Sequence, residues 1–332
     1  YDATQPSKYI TYLDANNLYG WAMSEFMPYG VFEWMKMEQF EELLLHPVED
    51  TGRDGQNGYI FEVDIEYPAN LHDSHNDYPL APERLDISTD LLSAEQIQIR
   101  RNYNFRGAAH NSKLVPNLMN KTHYVVHGRN LQYYMKMGLK VTKVHRIIGF
   151  KESRWLAPYI AFNSQMRAQA TNNFEKDFFK LLNNAVYGKT CENVRKHMQV
   201  YIATDAAKAK KYIDKPNCKG FRIFSENCVA IQMQRTEVLI NRPTYVGFSV
   251  LEVSKLLMYD FHYDYIKRKY GSRAQLLFTD TDSLMYEIQT EDLYVEFFAD
   301  RGLFDFSNFK SDSPFFDNSN NKVIGKFKDE VC

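Results

Sequence analysis

At 332 residues, with 44% hydrophobic and 25% charged side chains, the chain has the make-up of a globular protein able to bury a large core in one big domain or two to three ordinary ones. A formal charge of −2 excludes a global basic field, so any nucleic-acid contact must come from local patches. Four cysteines with no CxxC pairing exclude a zinc ribbon and a disulfide scaffold, and the chain has neither a run of about 18 apolar residues nor a signal-peptide pattern.

Lys8 to Gly20, KYITYLDANNLYG, opens with a β-rich run that ends at Asp14. Asn16-Asn17 then reads as a turn into a helix with Tyr19 tucked underneath, and a short helix is expected over Trp21 to Met27, before Pro28. Alone, Asp14 reads as a cap or turn residue. Glu33 to Leu45 has the pattern of an amphipathic helix, and Glu49 to Gly58 that of a loop. Tyr59 to Tyr67 alternates, with Phe61, Val63, Ile65 and Tyr67 on one face and Glu62, Asp64 and Glu66 on the other. The acidic stripe could bind a metal, but a solvated strand face explains it more simply. Leu71 to Leu85 is irregular because of Pro79 and Pro82, and His72, His75, His123 and His127 are read as structural. A helix from Gly128 is capped at Gly138, and Leu139 to Phe150 follows as a strand.

Trp155 to Gly188 carries two helical patterns, with Pro158 near the first start and Asn172-x-x-Glu175 opening the second. At about 100° per residue, Lys176, Lys180, Asn184 and Tyr187 share one stripe of the second helix. Phe174, Phe178, Leu181, Leu182 and Ala185 fall opposite and are expected to be buried. A break near 171–173 makes this a helical hairpin that brings Arg167 alongside Lys180. The basic tract Lys208 to Lys219 either tracks phosphates or is a solvated surface. Phe221 to Gln234 is expected to be a β-hairpin, Val246 to Arg268 a long helix, Glu291 to Phe298 a short one, Ser307 to Asn321 a polar loop and Lys322 to Lys328 a strand.

Gln275 to Glu287, QLLFTDTDSLMYE, is an apolar run interrupted by Asp280 and Asp282. Leu276-Leu277-Phe278 and Leu284-Met285-Tyr286 read as buried strands, with Thr279 to Ser283 as the turn. On an extended backbone two acids two residues apart leave the same side, which gives either a divalent-metal site or a polar hairpin tip.

Three segments in order decide between these. Asp14-Ala15-Asn16-Asn17-Leu18-Tyr19-Gly20 resembles motif A of B-family DNA polymerases, Asp-x-x-Ser-Leu-Tyr-Pro. Lys180-x-x-x-Asn184-Ala185-Val186-Tyr187-Gly188 is similar to motif B, Lys-x-x-x-Asn-Ser-x-Tyr-Gly, and Phe278-Thr279-Asp280-Thr281-Asp282-Ser283 to motif C, Tyr-Gly-Asp-Thr-Asp-Ser. Asn17, Gly20, Ala185, Phe278 and Thr279 depart from the pattern, yet every carboxylate, the lysine and the tyrosine of motif A remain. The Asn-Leu-Tyr-Gly variant and the long insertions look most like the protein-primed branch of viral, organellar and Maverick/Polinton-type mobile-element polymerases.

The resemblance implies an α+β fold: a palm of antiparallel sheet with helices on one face, and a helical-hairpin fingers subdomain. It divides the chain into a palm start with motif A (1–68), an insertion like the first protein-primed-specific region (69–127), palm (128–155), fingers with motif B (156–190), a second insertion (191–241) and palm with motif C (242–332). The family's exonuclease would precede Tyr1, and a thumb with its Lys-x-Tyr motif would follow Cys332. Asp14, Asp280 and Asp282 would be catalytic, with Asp14 and Asp282 the ligands of two Mg²⁺ ions, or Mn²⁺. Arg167, Lys176, Lys180, Asn184, Tyr187 and Tyr19 would bind the dNTP, with Tyr19 as the sugar gate. Implied partners are template-primer DNA, dNTPs and a terminal-protein primer, without a membrane, in an intracellular, nuclear or viral-factory setting. The alternatives are a catalytically inactive nucleic-acid-binding remnant of a mobile-element polymerase and a metal-dependent nuclease, though a nuclease would not need the Lys-Asn-Tyr stripe.

Overall fold

Alternation of side chains organises the first sheet. Along the strand Ser7–Ala15, Thr11, Leu13 and Ala15 point inward and are fully buried. The strand pairs antiparallel with Ser283–Thr290 on one side and Phe327–Asp329 on the other, and Ala274–Asp280 closes the far edge. The computed structural model describes residues 7–45, 56–103 and 112–331. A second four-stranded antiparallel sheet runs in the order Met27–Trp34, Lys140–Ser153, Gln56–Glu66, Lys121–His127. With the helices packed on them, these sheets make the chain an α+β protein with a helical hairpin attached.

The helix Thr244–Tyr259, continued by a π-helical stretch Asp260–Lys267, joins three cores. Its Val246, Val250 and Val253 pack with Met23, Met27 and Ile160. Tyr259 and Tyr263 pack with Phe61, Val63 and Ile65 of the second sheet. Met258, Phe261 and Ile266 pack with Leu13, Leu284 and Tyr286 of the first. The many aromatics fill this last interface, where Phe261 stacks on Phe327 at 3.7 Å and Phe297 on Phe304 at 4.4 Å. Burying one such side chain contributes roughly 1.5–3 kcal/mol.

The two hairpin helices are Ala157–Gln169 and Asn173–Thr190, and Asn172 caps the second by accepting from the Glu175 amide at 2.9 Å. Residues 198–234 build a separate three-stranded sheet under the helix Ala206–Ile213, around Ala203, Ala209, Ile231 and Met233.

Several expectations are corrected. Met27–Trp34 is a strand, and helix begins only with the 3-10 turn Met37–Gln39 that runs into Phe40–Leu45, so the helical pattern over Glu33 to Leu45 spans three elements. The motif A helix is Leu18–Ser24 and stops before Met27. Of the loop expected over Glu49 to Gly58, residues 49–55 lie outside the described residues, and Gln56 already begins a strand. A short helix, His72–His75, interrupts the irregular stretch after Leu71. The strand expected over Lys322 to Lys328 is Phe327–Asp329. Phe174, Phe178 and Leu181 are 78%, 45% and 62% exposed rather than buried. Ala185 is exposed as well, and the buried residues of that helix are Asn183 and Thr190, so the face it packs is not the apolar one that the projection picked out. Leu277 and Phe278 are likewise half exposed, because Ala274–Asp280 is an edge strand.

The acidic stripe on Gln56–Glu66 is neutralised across the strands. Glu62 bonds Arg146 and His123, and Asp64 bonds the His145 ring at 2.7 Å. His75 bonds the Tyr67 hydroxyl and His127 caps its following helix, so both serve the fold.

Candidate active site

The site begins where the first sheet's central strand ends. Asp14 stands opposite Ser283 and Lys328 in the two neighbouring strands, and the Ala15 amide donates to the Asp282 carbonyl at 2.7 Å. This register puts Asp14 beside the turn between Ala274–Asp280 and Ser283–Thr290. The turn is tight: the Asp282 amide donates to the Asp280 carbonyl at 2.6 Å, with Thr281 left-handed at φ 53°. The backbone is therefore not extended between the two acids, and they do not leave together as the sequence suggested. Asp282 faces a cavity of about 690 Å³, whereas Asp280 is exposed and lies outside its lining.

Asp14, Tyr19, Asn184, Tyr187 and Asp282 line this cavity, with Arg167 and Lys180 supplying cations from the two hairpin helices. Lys176 is one turn before Lys180 and does not line it. The Arg167 Nε is buried without a hydrogen-bond partner among the described residues, so the guanidinium retains donor capacity. The loop before Phe327–Asp329 supplies further lining from Asp305, Asn308 and Lys322, and Lys328 and Glu330 come from the strand and its end. Sequence reasoning missed these because the loop has no periodicity. The one available signal was the pair of lysines flanking Phe327.

Burial and a neighbouring carboxylate raise both acids, and nearby lysines pull the other way. Burial, then Asp282 and Glu330, push Asp14 up to about 6, against the opposing pull of Lys328 and Lys180. Asp282 is raised by burial and by Asp280, with Lys180 lowering it. Tyr19 and Tyr187 stand ring to ring at 4.5 Å, and burial raises both phenols.

The turn after Asp14 is built by an unusual pair. Asn17 adopts φ 47° and its carboxamide accepts from the Gly20 amide at 3.2 Å, capping Leu18–Ser24. A Cβ on Gly20 would meet the Asn17 Nδ2 at 2.1 Å. Glycine at position 20 leaves the space that the Asn17 carboxamide fills, and any residue but proline there would keep the N–H it accepts from.

Two carboxylates that repel one another fit a divalent cation. Mg²⁺ commonly takes one or two carboxylates and completes its shell with water and substrate phosphates. Among the described residues no group of three or more His, Cys, Asp or Glu side chains is arranged to hold a metal.

The family model described as DNA polymerase type B, organellar and viral, matches residues 2–267. The chain belongs to that family. Among solved structures it is similar to phi29 DNA polymerase in an orthorhombic crystal form, at 13% identity and TM-score 0.47 over 99% of this chain and 44% of that one. It is also similar to phi29 DNA polymerase complexed with primer-template DNA and incoming nucleotide, at 15% identity and TM-score 0.46, and to the binary complex with primer-template DNA, at 16% and 0.44. Both of these overlaps cover 92% of this chain and 42% of the other. The chain thus spans less than half the length of these polymerases. Among curated proteins none matches. No helix among the described residues is long and apolar enough to cross a membrane.

Proposed function

We propose that the chain is the catalytic part of a DNA polymerase that adds dNMP from dNTP to a primer 3′-hydroxyl under direction of a template. The observation that carries this is one cavity lined by both the Asp14 and Asp282 carboxylates and the Lys180 and Arg167 cations. In the reaction the primer 3′-oxygen bonds to the α-phosphorus, the α–β anhydride bond breaks, and pyrophosphate and the hydroxyl proton leave.

Asp14 and Asp282 would hold divalent metal, Mg²⁺ or Mn²⁺, which when bound polarises the 3′-hydroxyl and neutralises charge on the phosphates. Lys180 and Arg167 bind the triphosphate oxygens, with Lys176 adding positive potential from one turn away. Tyr19 stacks under the sugar and excludes a 2′-hydroxyl. Asn184 and Tyr187 border the nascent base pair, and template pairing selects the base. Asp280 acts by potential on Asp282 rather than from inside the cavity. Residues 191–241 are read as an insertion, a view supported by the separate sheet and core of 198–234. Residues 69–127 are read as the other insertion, whose last strand, Lys121–His127, joins the second sheet. A terminal protein is proposed as one source of the primer hydroxyl.

The test is primer extension by the full-length protein with Mg²⁺ and dNTPs. Wild type is expected to extend and Asp282→Asn to lose about 10³-fold or more, in line with the removal of a key transition-state contact. No extension by wild type would support an inactive remnant instead, and equal extension by both would remove Asp282 from the reaction and defeat the assignment of this cavity as the polymerase site.

A further inference from the structure

Asp305 is 3% exposed, yet it sits on the wall of the catalytic cavity. Its carboxylate is taken up by protein donors. One oxygen accepts from the Asn16 side chain at 2.8 Å and the Lys322 amide at 2.9 Å, and the other accepts from the Ser307 amide at 3.0 Å. The Asp305 amide itself donates to the Phe327 carbonyl at 2.8 Å, which ties this loop to the strand beside Asp14. A buried carboxylate with this many charge-assisted donors is a rigid anchor.

Its partner Asn16 is held through its side-chain nitrogen and both backbone polar groups. The Asn16 amide donates to the Lys326 carbonyl and its carbonyl accepts from the Gly325 amide, both at 2.8 Å. Asn16 is two residues from Asp14 and directly precedes Asn17, which caps the short helix carrying Tyr19. That helix also presents Trp21, whose ring lies where a Cβ on Gly325 would come within 2.5 Å. Hydrogen bonds and packing therefore tie the loop 305–326 to the turn before Tyr19.

We propose that Asp305 is a positioning residue for the nucleotide pocket: through its bond to Asn16 it fixes the turn that aims Tyr19, and so sets dNTP affinity and sugar discrimination. This rests on reading the cavity as a dNTP site. The rival role for the same side chain is direct metal ligation, which the three donors on its oxygens oppose.

The experiment compares Asn16→Ala, Asp305→Asn and the double variant in the full-length protein by steady-state single-nucleotide insertion. Loss of one charge-assisted bond predicts a KM for dNTP raised about tenfold with kcat within about threefold of wild type. Ribonucleotide insertion relative to deoxyribonucleotide should rise about fivefold, and the double variant should be no worse than the harsher single, because both cut the same bond. Unchanged KM and sugar selectivity in Asn16→Ala overturn the proposal, as does a loss confined to kcat with an altered metal dependence. Where Asp305→Asn fails to fold, Asn16→Ala decides, since it leaves the buried carboxylate in place. A second readout is independent of activity. In a full-length background where every other tryptophan, Trp34 and Trp155 among them, is replaced by phenylalanine, Trp21 is the remaining tryptophan. Its acrylamide quenching should rise about twofold in Asn16→Ala as the helix loosens, and unchanged quenching overturns the proposal. A wild type that extends no primer would defeat the polymerase reading alone, and the quenching result would still stand.

Discussion

Tyr19, just past the first strand, and Tyr187, near the end of the second hairpin helix, meet with ring centroids 4.5 Å apart and planes 36° from each other. Residues 168 positions apart in the chain thus make one wall of the cavity. The contact couples the aim of the Tyr19 ring to the placement of the second hairpin helix. Tyr19→Val should admit ribonucleotides, raising their relative insertion about tenfold or more, on the scale of one lost steric contact. Tyr187→Ala should raise ribonucleotide insertion as well, by a smaller factor, because Tyr19 loses its support. The measurement is competitive insertion of rNTP against dNTP, and unchanged discrimination in Tyr19→Val would remove the gate role.

Asn17 and Gly20 form a matched pair, in place of the Ser and Pro common in B-family motif A. Proline at position 20 would take away the amide that Asn17 accepts from, and its ring would occupy the space of the Asn17 carboxamide. Gly20→Pro alone should destabilise the fold by about 1–3 kcal/mol, through a lost cap and a clash. Adding Asn17→Ser should recover most of that. A double-mutant cycle by urea unfolding reads the coupling, and additive losses would show that the two sites are independent.

Asp14, held near pKa 6 by burial and by Asp282, makes cation binding depend on pH. Below pH 6 the carboxyl is protonated and must release that proton to bind a metal. Mn²⁺ affinity, followed by calorimetry, should therefore fall about tenfold per pH unit below 6 and flatten above it. Asp14→Asn should flatten the profile as well as weaken binding. A pH-independent affinity in the wild type contradicts the assignment of Asp14 as a ligand.

His127 and His262 are both held neutral to about pH 3, His127 by burial and then Arg129, His262 by burial and then Lys267. The unfolded chain protonates these rings near pH 6.5, so the folded pKa is depressed. Stability is complete above pH 6.5 and is lost progressively as pH falls toward 3, by up to about 1.4 kcal/mol per pH unit for each ring. Urea unfolding at pH 7, 6 and 5 should show this slope, and His262→Gln should halve it. Flat stability across that range would mean that the two rings are not buried neutral.

Much of the site could be read from the chain because its chemistry sits on short-range patterns. Asp14 lies at the end of an alternating strand, and Lys180 to Tyr187 follow helical spacing that the Asn172 cap puts in register. What could not be read depends on partners distant in sequence. The exposure of Phe174 and Leu181 is set by what stands opposite their helix, which periodicity does not encode. The outward placement of Asp280 follows from a left-handed Thr281, a conformation a β-branched residue seldom adopts and no spacing rule anticipates. Asp305 and Lys328 reach the cavity through strand pairing and a loop clamp rather than through any local motif. The π-helical stretch Asp260–Lys267 likewise left no mark on the apolar pattern of its helix.

The central claim is that Asp14 and Asp282 act together inside the cavity while Asp280 stands outside it. Single-turnover primer extension with Mg²⁺, run on Asp14→Asn, Asp282→Asn and Asp280→Asn, tests it most directly. The first two should each lose about 10³-fold or more in rate and Asp280→Asn about tenfold or less, as expected for direct ligands against a neighbour acting through potential. Equal losses at all three positions, or a loss at Asp280 that exceeds the others, would contradict the account.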